Sequence, residues 1–595
     1  IEMNIDTTAQ YIVFGVIMPG NGEAWFDNLQ IELDGKIYEQ KQKEFLGQND
    51  HEFDNGSNII LDNTNKEIVD NLTLLGKLWG YLKYYHPNIV RGNYNWDYEL
   101  FRIMPKIISC KSKKEINKLI SEWIKNLGDI NELENHQIVD SADVKIFPEL
   151  TWITENSQFD ETLIKQLDQI KNSKRSSELY YVGLFPLGNP NFKNEPSYEK
   201  ISFSDVGYRL LTLYRYWNII QYFYPYRYLI KNEWDNALLE FIPKFINVKN
   251  ELDYKLTIQE LIAKVRDTHA NIWNDKTISK YFGLNYSPLE MKFIEDKAVV
   301  IDYYNDELGK KTNLRKGDII ISVDNKKVEN IVNERLPITP ASNYKTQLRF
   351  LSLYLLRSNK SKLKLEYQRE EKIYEDSIDC YNPLAINIFK KYQSRDTCWK
   401  FISKDIGYIY PGTIKNSYLP MIMSELKNTK GIIIDLRCYP SEFIVFSLGE
   451  YLMNKPTDFA KFTKSEIKLP GLFTYTSNVK VGKQNQNYYK GKVVIIVDES
   501  TLSQAEYTAM AFRVAPQAIV IGSTTAAADG NVSSFYLPGG ILTQISGLGV
   551  YYPDGKETQQ IGIIPDIKIE PTIKGIKEGR DELLEKAIEL INNDL

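Results

Sequence analysis

Two stretches of this chain, 138 positions apart, carry the same rare residues in the same order, and any fold must satisfy both at once. Trp79, Pro87, Trp96-Asp97 and Pro105-Lys106 return without a gap as Trp217, Pro225, Trp234-Asp235 and Pro243-Lys244. Self-similarity at a fixed period is the mark of a duplicated structural unit. Leu74, Leu75, Leu78, Trp79 and Leu82 have helical spacing, so each copy reads as a bundle of about three helices. The copies differ where they end. Gly128-Asp129-Ile130-Asn131 aligns with Arg266-Asp267-Thr268-His269: both keep the aspartate, and only the second has the histidine. A structural role belongs in both copies, whereas a chemical role needs only one. The asymmetry therefore tilts His269 towards chemistry and away from a capping or surface role, and histidine titrates near neutrality.

A second stretch, Lys492 to Tyr507, joins an apolar β-branched run to two acids, then to a cluster of small hydroxyl residues, then to a helical pattern. It reads as strand, tight turn and helix. Such a turn holds a side chain at the carboxyl edge of a sheet, beside free N–H groups that attract developing negative charge. Ser503 occupies it. Ser-x-x-Glu is also a capping box, but Thr501 to Gln504 offers another box that would leave the Ser503 hydroxyl free. Gly431 to Leu436 and Ala518 to Gly522 are further apolar strands, with helices between. Strands this apolar belong to a sheet covered on both faces, hence an α/β core.

Composition narrows the rest. With 595 residues the chain is long enough for several domains, and its charge of −5 offers no argument for nucleic acid. The four cysteines and four histidines are scattered without metal-ligand spacing, so no metal or other cofactor is implied. No apolar run is long enough to span a bilayer. The chain opens on Ile1 inside strand-like sequence and reads as a trimmed piece, so a missing leader is uninformative. The expected organisation is multidomain α/β: a β-sandwich remnant (1–60), helical bundle copy one with a linker (61–200), copy two carrying His269 (201–284), a β domain (285–380) and an α/β core (381–595).

Three resemblances add to this. Gly22 through Asp34-Gly35, with Ala24-Trp25-Phe26-Asp27-Asn28, resembles the last strands of a galactose-binding-like sandwich, for which an accessory structural role is expected. Leu314-Arg315-Lys316-Gly317-Asp318-Ile319 with Val328 resembles a PDZ signature, which implies capture of extended peptide ends by strand addition and places Gly317 at the substrate. The order Gly431 to Arg437, Thr501 to Glu506, Ile521 to Thr525 and Gly562 to Asp566 resembles the C-terminal (tail-specific) processing protease family, with a sheet of the ClpP/crotonase kind.

The family resemblance makes Ser503 the nucleophile of a serine peptidase acting on protein or peptide substrates. Bacterial members use a lysine after the serine, and Ala528 falls at that place. The tricorn-like branch instead uses a histidine preceded by a small hydroxyl residue, which Thr268-His269 resembles. Its orienting glutamate corresponds to Gln559, with Glu557 two residues earlier; Glu557 is expected to orient His269, Gln559 is the fallback, and Thr268 assists. One oxyanion donor is the Gln504 N–H; the second falls on Cys438, Tyr439 or Ser441, because Pro440 has no N–H, and Tyr439 is chosen. Asp529, Gly530 and Asn531 are expected to line the cleft. The resemblance also implies export to a bacterial periplasm or cell surface, with room for a membrane anchor upstream of Ile1. It leaves the oligomeric state open. The altered turn after Arg437 and Gln559 motivate an alternative: an inactive peptide- or glycan-binding protein on a degenerate protease scaffold.

Overall fold

The computed structural model describes residues 44–593, apart from 62–63, 131, 135–140, 156–158, 177 and 389–396, and a pair of two-residue strands, Glu32–Leu33 and Lys36–Ile37. Most of the galactose-binding-like motif lies outside the described residues. The chain divides into two units, Ile1–Phe45 and Leu46–Leu595. In the first, the two short strands pair antiparallel.

Within the second unit, each copy of the repeat is three helices. These are α1 (Lys66–Tyr85), α2 (Trp96–Ser109) and α3 (Lys113–Asn126), then α4 (Val206–Phe223), α5 (Lys231–Ile246) and α6 (Glu251–Ala263). Side chains of Asn65, Asn95, Ser112, Asp205 and Asn250 each accept the N–H three residues on, which starts five of the six. The repeated tryptophans explain their own recurrence. Trp79 and Trp96 donate their indole N–H groups to each other's carbonyls at 2.9 and 2.8 Å, and Trp217 and Trp234 do the same at 3.0 and 3.4 Å. Buried indoles need such partners.

The copies pack so that equivalent positions face one another. Gly76 lies against Tyr214 and Gly80 against Asn218, each pair separated by the repeat offset of 138. A Cβ on Gly80 would stand 1.8 Å from Asn218 Oδ1. The Asn218 amide cannot swing away freely, because its Nδ2 donates to Gly76 O at 3.0 Å and Tyr214 O at 2.8 Å. Charges cross the same axis: Arg215 of copy two binds Asp97 of copy one at 2.6 Å, and the equivalent Lys77 feels Asp235. Glu195, from the segment between the copies, closes the network on Lys83 (2.6 Å) and Arg215 (2.9 Å). Two cations and two carboxylates thus neutralise each other inside the bundle, where an unpaired charge would be costly.

Residues 285–380 form a six-stranded antiparallel sheet. Its main path runs through β1 (Leu289–Ile294), β2 (Lys297–Tyr303), β3 (Ile319–Val323), β4 (Lys362–Arg369) and β5 (Lys372–Asp379), with helix α7 (Tyr344–Leu355) packed on it. The last part holds a second sheet, largely parallel, through β6 (Ile406–Ile409), β7 (Gly431–Asp435), β8 (Lys492–Val497), β9 (Ala518–Gly522) and, after a hairpin of β10 (Val532–Leu537) and β11 (Ile541–Ser546), β12 (Ile567–Lys568). Alternation along β8 covers both faces. Val493, Ile495 and Val497 pack with α8 (Gln504–Phe512), while Val494 and Ile496 pack with α9 (Glu582–Asn592). The molecule is therefore multidomain α/β, and among the described residues no helix is long and apolar enough to cross a membrane.

Because Gly80 has no room for a methyl group, Gly80→Ala should destabilise the protein by about 1–3 kcal/mol. Adding Asn218→Ala should recover part of that loss. Urea unfolding of the two single variants and the double variant measures both.

Candidate active site

The turn before Ser503 is anchored from three sides. The Thr501 hydroxyl donates to Leu436 O at 2.8 Å and accepts the Asp498 N–H at 3.1 Å, while Thr501 O accepts the Ala526 N–H at 3.0 Å. Lys292, reaching from β1, pairs with Asp498 at 3.0 Å and Glu499 at 2.8 Å. The Thr501 hydroxyl is thus spent on the turn, which corrects the expectation that it caps the helix. Ser503 is itself the N-cap residue of α8, with φ 55° and ψ −117°. A non-glycine residue held there stores roughly 1–3 kcal/mol of strain, a cost typical of functional sites, and the sharp strand-to-helix elbow is the form that projects a nucleophile.

The elbow is held by Glu506, whose buried carboxyl gathers four donors. Oε1 accepts from the Thr525 hydroxyl and the Ala527 N–H (2.9 Å); Oε2 accepts from the N–H groups of Ala528 (3.1 Å) and Ser503 (3.2 Å). Burial outweighs these donors and pushes the carboxyl up to about 7. The Ser503 N–H also reaches Ala528 O at 3.1 Å. The place where related peptidases were expected to carry a lysine therefore lies against the serine, and here it is a fully buried methyl group.

His269 follows α6 through a turn in which Arg266 has φ 52°. The first copy puts Gly128, φ 90°, at the equivalent place, so the duplicated turn keeps its left-handed geometry even where glycine has been lost. Thr268 fastens the turn: its hydroxyl donates to Ala526 O at 2.7 Å and accepts the Ser342 N–H at 2.9 Å. Ser503 and Thr268 are thus tied to carbonyls only two residues apart, those of Ala528 and Ala526. Among the described residues no direct hydrogen bond joins Ser503 to His269. Structures without substrate often leave catalytic hydrogen bonds long.

The groups around the imidazole differ from those expected. Glu557 accepts from Lys145 at 2.8 Å and Tyr228 at 3.0 Å, and has no bond to His269. The carboxylate beside the ring is Asp267, with Oδ1 3.8 Å from Nδ1, and Ser546 Oγ sits at 2.8 Å from the same nitrogen. Burial holds the imidazole below its ordinary range, with Asp267 pulling the other way. Gln559 stands behind, donating to Tyr224 OH (3.2 Å), Ser342 (3.3 Å) and Asp267 (3.5 Å). An amide suits that place because a second carboxylate would repel Asp267.

The oxyanion turn is partly committed. The Ser441 N–H is bound to Pro411 O at 3.0 Å, which removes it and leaves Cys438 and Tyr439 as the candidates. The Gln504 side chain holds this loop by donating to Glu442 O at 2.9 Å. The expected substrate contacts fare differently. Asn531 is exposed, but Gly317 is buried, with a would-be Cβ 2.2 Å from Lys577. Asp529 is buried as well; burial and the neighbouring Glu506 hold its carboxyl well above the usual range. A Cβ on Gly530 would stand 2.4 Å from Leu548 O. Gly317 and Asp529 are packing groups, so these two expectations are corrected, while Gly530 is half-buried.

Residues 405–569, which hold this elbow, match the model of peptidase family S41. The match covers the part of the chain that carries the second sheet and the Ser503 elbow. That segment is thereby a serine-type peptidase domain. No curated protein matches it by sequence. Among solved structures, mature CPAF is 14% identical, covering 65% of this chain and 98% of that one, with a TM-score of 0.50. A serine-to-alanine mutant of CPAF is also 14% identical, covering 66% and 98%, with a TM-score of 0.50. The photosystem II D1 C-terminal processing protease is 13% identical, covering 62% and 96%, with a TM-score of 0.38. At 14% identity the likeness to CPAF concerns the fold alone.

The S41 elbow should show its carboxyl in a pH profile. A buried acid raised from 4.5 to about 7 contributes stability that is complete below its unfolded value and is lost as pH rises through the folded value. Relative to Glu506→Gln, the wild type should lose about 3 kcal/mol of unfolding free energy between pH 4.5 and 8, measured by denaturant melts at each pH.

Proposed function

We propose that this S41 protein hydrolyses peptide bonds of protein or peptide substrates, with Ser503 as nucleophile and His269 as general base. The observation that carries this reading is the convergence on one short segment: the strained Ser503 elbow and the His269 turn are both hydrogen-bonded to residues 526–528. Serine is a poor nucleophile until a base removes its proton, and a neutral imidazole supplies that base.

Ser503 Oγ attacks the scissile carbonyl as its proton passes to His269. The tetrahedral oxyanion is held by the Gln504 N–H at the positive end of α8 and by an N–H of the Cys438-Tyr439 turn. Collapse breaks the C–N bond, and His269 returns the proton to the leaving amine. Water, deprotonated by the same imidazole, then releases the acyl group. The antiparallel region 285–380, read as PDZ-like, would present or gate the peptide, and Lys292 links it to the acids just before the elbow. This arrangement fits the tricorn-like branch, since Ala528 removes the lysine alternative. Export, and any anchor upstream, rest on the family resemblance alone.

A fluorophosphonate probe tests the reading. Wild type should label and cleave an unfolded protein; Ser503→Ala should abolish labelling, and His269→Ala should slow it by roughly 10²–10⁴-fold. A wild type that neither labels nor cleaves would return the chain to the inactive peptide- or glycan-binding alternative.

A further inference from the structure

His269, Ser546 and Asp267 form a closed set of hydrogen bonds, and with Asp267 charged one arrangement of protons satisfies every contact. Asp267 is fully buried, and every group aimed at it is a donor. Oδ2 accepts the Ser546 backbone N–H at 2.6 Å; Oδ1 accepts the His269 backbone N–H at 3.1 Å, the Ser546 hydroxyl at 2.9 Å and, more weakly, Gln559 Nε2 at 3.5 Å. Three of these donors are N–H groups, which can only donate, so the set favours the charged carboxylate as acceptor. The Ser546 hydroxyl has one hydrogen, and the carboxylate claims it. Towards the imidazole, 2.8 Å away, the same oxygen can only accept. With the Ser546 hydrogen given to Asp267, His269 carries its proton on Nδ1. The direct separation from Nδ1 to Asp267, 3.8 Å, is too long for a hydrogen bond, so among the described residues the hydroxyl is what joins the ring to the carboxylate.

We propose that Ser546 is a positioning residue, which transmits the orientation of Asp267 to His269 through its hydroxyl and leaves Nε2 as the basic nitrogen. The inference rests on the reading of His269 as the general base, and adds which nitrogen works and what fixes it. When Nε2 takes the Ser503 proton, Nδ1 keeps its own, the Ser546 hydroxyl keeps its own, and no proton moves along the relay. The imidazolium so formed has the Asp267 charge one hydroxyl away. Two features of the sequence make sense in this light. The glutamate expected at position 559 is dispensable as an amide, because the charge now comes from Asp267. The hairpin strand β11 is drawn to the His269 turn, where Trp273 N–H bonds Leu542 O at 3.0 Å, and this delivers Ser546 to the ring.

The test reads the tautomer as well as the rate. In protein labelled with [15N]histidine, only four histidines report, and His269→Ala identifies the resonance. The wild type at pH 7 should show His269 with Nδ1–H and bare Nε2. Ser546→Ala should lower kcat by roughly 10- to 100-fold with KM within about 2-fold, because part of the general-base advantage is lost, and should mix the tautomers. Ser546→Thr, which keeps a hydroxyl, should restore the Nδ1–H form. A wild-type His269 protonated on Nε2 overturns the relay, even if the alanine variant does not fold. A wild type that labels at Ser503, with Ser546→Ala equal to it in kcat and tautomer, also overturns the relay and spares the peptidase reading. A wild type that is inert yet holds the Nδ1–H form does the reverse.

Discussion

One buried carboxyl, that of Glu506, holds together the parts on which the candidate site depends. Four donors converge on it: two backbone N–H groups from the loop after β9, a hydroxyl from the same loop, and the N–H of Ser503 itself. The first turn of α8 and the 525–528 loop are thereby locked to one another. The strain at Ser503 persists because these bonds over-determine it. The same loop then receives Thr268, so the position of the histidine is referred to the position of the serine through a few peptide units. A sheet edge, a helix start and a distant helical repeat are brought to one place by groups that never touch a substrate.

Some of this could be read directly from residues. The strand-turn-helix around Ser503 announced itself because apolar run, small hydroxyls and helical spacing are all local. Ala528 was informative for the same reason: its separation from Ser503 is short and the structure places it against the serine. His269 was legible through the duplication, which supplied an internal control for each residue. The turn that presents it is shared down to its left-handed residue, Gly128 in one copy and Arg266 in the other.

Other parts were not legible, for reasons of distance and geometry. Ser546 stands 277 positions from His269 in the chain, in a hairpin whose alternation says only that it faces inward. Glu557 had the right charge at nearly the right place, but the strand bridge between Tyr551 and Glu557 turns that stretch towards Lys145 and Tyr228. Asp267 recurs in both copies, which points to a structural role, and only in the second copy does it lie beside a histidine. Asp529 looked like loop chemistry by composition, yet it lies inside the fold beside Glu506.

The facing of Gly76 with Tyr214, and of Gly80 with Asn218, carries a consequence for how a duplicated unit behaves. Two identical copies meeting on this axis would set glycine against glycine, leaving voids, or tyrosine against tyrosine, in collision. Small and large have been divided between the halves, so each is a poor partner for itself and a good one for the other. The duplication has become a lock with two unlike sides, which disfavours the pairing of either copy with another like itself. That division gives the second copy one fixed place in the molecule, and its histidine with it.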